Sequence, residues 1–113
     1  MKERGDSAEK IAADYLQAKG LRLITSNYHC RFGEIDLIMR DQKTLVFVEV
    51  RLRSHAQFGG AAASITHSKQ SRLLRTAEHY LQQHGEAACR FDAILMDTLH
   101  TSSIQWIQDA FSA

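Results

Sequence analysis

The apolar positions along the chain change their period several times, and each change marks an element. Ala8, Ile11, Ala12, Tyr15 and Leu16 fall on one stripe at about 100° per residue, which predicts a helix from about Ser7 to Lys19. Asp6 or Ser7 is placed to cap its start and Gly20 to close it. The period then shortens toward two. Leu21 to Tyr28 reads as a first strand, and Gly33 to Arg40 as a second that pairs with it. In the second, Ile35, Leu37 and Met39 form one face and Glu34, Asp36 and Ile38 the other. The turn Asp41-Gln42-Lys43 leads into a third strand, Thr44 to Arg53. There Val46, Val48, Val50 and Leu52 are continuously apolar, whereas Leu45, Phe47, Glu49, Arg51 and Arg53 pass from apolar to charged.

His55 to Ser64, with Gly59-Gly60 and three alanines, reads as a loop able to close over a ligand or simply to connect. A second helix follows from about Thr66 to His84, its core stripe formed by Leu73, Leu74, Ala77, Tyr80 and Leu81. Two last strands run from Arg90 to Asp97 and from Ser103 to Gln108, the second carrying the only tryptophan, Trp106. The expected fold is therefore α/β, ordered αβββαβ with a further short C-terminal strand: a mixed sheet packed by two helices.

Composition narrows this picture without changing it. With 113 residues, 44% of them hydrophobic and 24% charged, the chain is expected to form one domain over 1–113 with a real core. No apolar run resembles a signal peptide, and none reaches the ~18 residues of a membrane span, so the expected location is the cytoplasm. Cys30 and Cys89 form neither a close pair nor a zinc-ligand spacing and read as reduced, partly buried thiols. The six histidines show no metal-ligand spacing either.

Charge is more informative in its placement than in its sum. The net charge is only +1, yet between Val50 and Ala77 stand Arg51, Arg53, Lys69, Arg72 and Arg75 with no acidic residue. Such a surface suits phosphate, because cations that neutralise phosphates release condensed counterions. A solvated face with no partner is the plainer alternative.

The candidate chemistry lies between Gly33 and Arg53. Asp36 is flanked by apolar residues in mid-strand, where aspartate is disfavoured and its burial is costly without a partner or a metal. Paired strands can bring Asp36 beside Glu49, and two strand carboxylates suit a hard divalent cation. Arg51 lies two residues beyond Glu49 on the same face and would meet the same phosphate. Glu9 sits at the edge of the first helix stripe, able to look into a cleft between helix and sheet; alternatively, Asp6 and Glu9 have capping-box spacing and serve only the helix start. Gln70 lies in the stripe of the second helix with Lys69 on its flank, and either bonds to nearby backbone or positions water or phosphate. Asp92, in Arg90-Phe91-Asp92, reads as a structural ion-pair partner.

The ordered run Glu9-x-x-Ala12-x-x-Tyr15-Leu16, Asn27-Tyr28-x-Cys30-Arg31-x-Gly33-Glu34-Ile35-Asp36-Leu37-Ile38, Val46-Phe47-Val48-Glu49-Val50, Lys69-Gln70 and Arg90-Phe91-Asp92 resembles the YraN-like family of small bacterial proteins. That family is similar in fold to the PD-(D/E)XK nucleases, including archaeal Holliday-junction resolvases. The resemblance spans nearly the whole chain. It implies a restriction-endonuclease-like domain with Asp36 and Glu49 as ligands of Mg²⁺ or Mn²⁺, joined by the carbonyl of Val50. It also implies Glu9 as the helix carboxylate that completes the metal site and Gln70 as an accessory polar residue.

One departure matters. Where the family and the nuclease motif carry lysine two residues after the glutamate, this chain has Arg51. Arginine stays protonated and cannot act as a base, but it binds phosphate and stabilises negative charge. The expected function is DNA binding, to branched or damaged DNA, through Arg53, Lys69, Arg72 and Arg75. Mg²⁺-dependent phosphodiester hydrolysis is the inherited chemistry, weakened at Arg51. The alternatives are a non-catalytic nucleic-acid-binding module and a protein-interaction domain whose carboxylates are structural. No membrane partner is expected, and a homodimer is compatible with each reading.

Overall fold

A computed structural model describes residues 2–52 and 65–111, with side chains from Ser7 onward. The expected loop His55–Ser64, Arg53 and the side chain of Asp6 lie outside the described residues. The elements follow in the order α1 (Lys2–Ala18), β1 (Arg22–Cys30), β2 (Gly33–Asp41), β3 (Thr44–Leu52), α2 (His67–His84), β4 (Cys89–Met96), a 3₁₀ turn (Thr101–Ser103) and β5 (Ile104–Phe111). This is the predicted α/β order.

Helix α1 begins at Lys2, earlier than its apolar stripe suggested. Lys2, Glu3 and Arg4 are good helix formers, and a single Gly5, costing ~1 kcal/mol against alanine, does not stop them. Asp6 therefore lies inside the helix and not at its cap. The helix ends as expected at Gly20, whose φ of 102° a side chain rarely tolerates. There the Leu21 N–H donates to the Leu16 carbonyl at 3.1 Å and the Gly20 N–H to the Gln17 carbonyl at 3.0 Å, a Schellman closure with Leu21 buried over Leu16.

The five strands lie in the order β1-β2-β3-β4-β5. All neighbours are antiparallel except β3 and β4, which run parallel from Leu45–Cys89 to Leu52–Met96. A parallel pair needs a crossover, and α2 lies in that connection. Each helix buries its own core. Ala8, Ala12, Ala13 and Leu16 of α1 pack with Leu37, Met39, Val46, Val48, Ile94 and Met96. Leu73, Ala77 and Tyr80 of α2 pack with Ile38, Leu45, Phe47, Phe91, Ala93 and Leu95. Both halves of β3 are thus covered, which explains why its alternation reads as an almost continuous apolar run.

One face assignment is corrected. Ile35 was expected beside Leu37 and Met39, but it belongs to the core under α2 together with Ile38. Alternation breaks between Ile35 and Leu37, around Asp36. Opposite that point, between the pairs Ser26–Leu37 and Tyr28–Ile35, stands Asn27 at a φ of 53°. Asparagine is among the few residues that accept this conformation, and it re-aims the strand locally. The β2–β3 pairing runs from Asp41–Thr44 to Leu37–Val48, so Asp36 lies just beyond its last pair.

Candidate active site

The end of the β2–β3 ladder is where the expected acidic residues meet. Asp36 supplies a carboxylate where the ladder would need a carbonyl: its Oδ2 accepts from the Val50 N–H at 2.8 Å. Glu49 stands next in register beyond Leu37–Val48 and is buried, with 5% of its surface exposed. It shares the α2 side of β3 with Phe47 and is hydrogen-bonded to Asp36. Burial, first, and then the neighbouring charge of Glu49 push the Asp36 carboxyl up to about 8. Glu9, half-buried on α1, adds its own negative charge, while the Val50 N–H opposes the shift. Asp36 thus senses one carboxylate from each helix-covered side of the sheet.

Two cations close the α2 side. The Lys69 ammonium is 2.8 Å from Oε2 of Glu49, and Nε of Arg51 is 3.5 Å from the same oxygen. Lys69 is the third residue of α2, held there by Thr66, whose hydroxyl caps the Lys69 N–H at 3.2 Å. Sequence spacing placed Lys69 on a flank as a phosphate contact; its long stem instead carries its charge into the carboxylate site. Gln70 donates from its amide to the Ile65 carbonyl at 3.0 Å, the backbone bond at the helix start that was one of its two expected roles. Arg72 and Arg75 continue from Lys69 at intervals of three residues, both exposed, and form a cationic stripe along α2.

On the other side of the sheet Glu9 lines a groove of about 370 Å³ between α1 and β1, with Lys10, Asp14, Ser26, Asn27 and Leu37 among its walls. The cleft expected at Glu9 therefore exists, although its walls come from β1 more than from the strands bearing Asp36 and Glu49. With α1 starting at Lys2, Glu9 lies well inside the helix and outside any capping box at Asp6.

In kind, the donors suit a hard dication: two adjacent oxyacids, Glu49 buried and Asp36 half-buried, the Asp36 carboxyl raised to about 8 by desolvation and then by the charge of Glu49. In number they are sparse. Among the described residues no group of three or more His, Cys, Asp or Glu side chains is set to hold a metal ion. Two carboxylates are what Mg²⁺ commonly takes from a protein, since it keeps several waters and adds substrate oxygens.

Three features were not read from the sequence. Thr76, fully buried on α2, donates its hydroxyl to the Arg72 carbonyl at 2.7 Å, and a β-carbon at Gly33 would come within 3.2 Å of it. Gly33 thus lets the β1–β2 hairpin lie close on the helix. Asn27 marks the break opposite Asp36, and an asparagine inside a strand-like run was its only sequence signal. Cys89 is exposed and not partly buried; both cysteines are free. Asp92 is, as expected, a structural partner: Arg90 reaches it at 3.0 Å, the Trp106 indole N–H at 3.0 Å and the Asp109 N–H at 2.9 Å.

Among the described residues the molecule is thus an α/β protein with a mixed five-stranded sheet, two covering helices and a carboxylate pair, Glu49 buried and Asp36 half-buried, faced by lysine and arginine at the end of one strand ladder. The model of the Uncharacterised protein family UPF0102 matches residues 8–96, and the chain belongs to that family. It is 61% identical over 113 residues to a UPF0102 protein of Methylobacillus flagellatus, covering all of both chains. It is 59% identical over 109 residues to one of Nitrosomonas europaea, covering 96% of this chain and 92% of the other. A UPF0102 protein of Psychromonas ingrahamii is 58% identical over 109 residues, covering 96% and 88%. The matched region holds Glu9, Asp36, Glu49, Lys69 and Gln70.

Proposed function

We propose that the protein is a DNA-binding, Mg²⁺- or Mn²⁺-dependent phosphodiesterase of endonuclease type, acting in the cytoplasm on branched or damaged DNA. One observation carries this reading. At the Asp36–Glu49 pair, with Glu49 buried and Asp36 half-buried, Lys69 and Arg51 reach Glu49 while Asp36 is crowded by Glu49 and Glu9 against the Val50 N–H, and the Asp36 carboxyl is pushed up to about 8. A divalent cation is the natural counter-charge for such a pair, and carboxyls perturbed by burial together with a specific charge partner cluster at functional sites. Asp36 and Glu49 would hold the metal, with the Val50 carbonyl beside them and Glu9 as the outer carboxylate. The bound ion would lower the pKa of its water and polarise the phosphate. The protein's own residues then do the rest. Arg51 and Lys69 face the phosphate from the α2 side, Arg72 and Arg75 bind neighbouring phosphates, and Gln70 fixes the start of the helix that carries them. None of the helices described is long and apolar enough to cross a membrane.

A second reading, a non-catalytic nucleic-acid-binding module, is favoured by Arg51 in the place of the family's lysine. Incubation of linear, flap and four-way-junction DNA with the protein and Mg²⁺ or Mn²⁺ separates the two. The first reading predicts metal-dependent cleavage of at least one form, abolished in Glu49→Gln. Binding to all forms with cleavage of none would establish the second.

A further inference from the structure

The departure at position 51 leaves a question that the geometry around Glu49 answers. A hydrolytic site of this kind needs a compact cation against the phosphate, and arginine is broad and fixed in its fork. The structure brings a lysine to the same carboxylate from a different element. Lys69 stands 2.8 Å from Oε2 of Glu49, nearer than Arg51 at 3.5 Å from that oxygen. This is no loose surface pair, because only 5% of the Glu49 side chain is exposed. The Lys69 side chain, by contrast, is 30% exposed, so one side of it opens to solvent where a phosphate would arrive. An ammonium has three donors, and a single contact with Glu49 leaves others for a second acceptor. The backbone beneath it is fixed twice, by the Thr66 cap on the Lys69 N–H and by the Gln70 amide bond to the Ile65 carbonyl.

We propose that Lys69 is the catalytic cation of this site, supplying from α2 the ammonium that position 51 lacks, with Arg51 as an auxiliary phosphate contact. The inference rests on the phosphodiesterase reading and deepens it. Lys69 keeps its proton throughout. It binds a non-bridging oxygen of the scissile phosphate while a water oxygen forms a bond to phosphorus and the P–O ester bond breaks. The water's proton passes to solvent, and the departing oxygen takes one from solvent. Lys69 stabilises the negative charge that builds on the phosphoryl oxygens between those events. Arginine at position 51 is then tolerated, because the cation it would replace is already present.

The test uses the full chain on whichever DNA form the wild type cleaves, at saturating protein and with Mn²⁺ binding measured in parallel. Lys69→Gln should slow cleavage by about 10²-fold, the loss expected for one donor to a developing oxyanion, while Mn²⁺ binding is retained. Arg51→Gln should cost less. The double variant Lys69→Gln with Arg51→Lys should recover much of the rate, since it returns an ammonium to the same carboxylate. If Lys69→Gln melts below assay temperature, Lys69→Arg replaces it, and a clear rate loss at unchanged charge is again expected. The inference is overturned if either Lys69 variant cleaves at the wild-type rate, or if a deficit seen at low protein vanishes at saturating protein, as for a plain phosphate contact. In both those cases the phosphodiesterase reading survives. A wild type that cleaves no DNA form overturns both.

Discussion

Asp36, half-buried, and Asp92 are both aspartates within the sheet, and they are supported in opposite ways. Asp92, fully buried, receives the Arg90 guanidinium, the Trp106 indole N–H and the Asp109 N–H, the last turned inward by a φ of 53° at Asp109. Arg90 is itself tied to Asp41 at 3.1 Å. Asp36 receives the Val50 N–H, and its carboxylate neighbours are Glu49 and Glu9. Each also faces a strand residue of left-handed backbone, Asp109 in one case and Asn27 in the other. The lesson is in the counter-charge. At one centre the cation reaches the aspartate itself and staples β4 to β5; at the other Lys69 and Arg51 reach Glu49, and Asp36 is left among carboxylates at the end of a ladder.

The largest effect should come from removing the satisfied centre. Asp92→Ala leaves the Arg90 guanidinium with Asp41 alone and takes the acceptor from the part-buried Trp106 indole N–H and Asp109 N–H, a loss on the order of 3 kcal/mol at about 1–3 kcal/mol for each unmet donor. Urea denaturation should report a loss of that order, and a loss below about 1 kcal/mol, the worth of a surface pair, would erase the contrast between the centres.

Removing the Asp36 carboxylate, crowded by Glu49, should act in the opposite direction. Asp36 is near 8 in the folded protein and near 4 when unfolded, so between those values the native state holds a proton that the unfolded state has lost. The metal-free protein therefore loses stability as pH rises from about 4 to 8. Asp36→Asn keeps an acceptor for the Val50 N–H and removes the charge. At pH 8 it should gain on the order of 2 kcal/mol, a discount on 1.36 kcal/mol per pKa unit, and the gain should vanish near pH 4. Chemical denaturation at the two pH values reads this directly; a variant destabilised at pH 8 would mean that Asp36 is compensated as Asp92 is.

The smallest effect concerns the stripe along α2. Arg72→Gln and Arg75→Gln should each leave the fold unchanged and make the dependence of log DNA affinity on log salt shallower by about 0.9, the contribution of one phosphate contact on a duplex. A slope that does not move would take DNA away from that face.

The comparison also shows which features the sequence made legible. Element order, the two core stripes and the pairing of Asp36 with Glu49 follow from periodicity, because side chains in regular elements must alternate or spiral. Asp92 was legible for the same reason: two residues apart on a strand, Arg90 and Asp92 share a face. What failed was local. Ile35 changed faces because the strand is re-aimed opposite Asn27, and a periodic argument assumes no such break. The Lys69–Glu49 contact was not read because helical spacing locates a β-carbon, whereas a four-carbon stem decides where the ammonium ends. Glu9 looked like half of a capping box until the helix proved to start at Lys2, upstream of any apolar signal. Whether three carboxylates assemble fully around an ion is beyond periodicity altogether, since it depends on rotamers.

The central claim is that Asp36 and Glu49 await a divalent cation, and titration calorimetry with Mn²⁺ at pH 8 tests it most directly. The account predicts one site per chain on the wild type, retained in Arg72→Gln, lost in Asp36→Asn and Glu49→Gln, and weaker at pH 5, where the ion must displace the Asp36 proton. Binding that persists in Asp36→Asn, or a wild type that takes up no Mn²⁺ at pH 8, would contradict it.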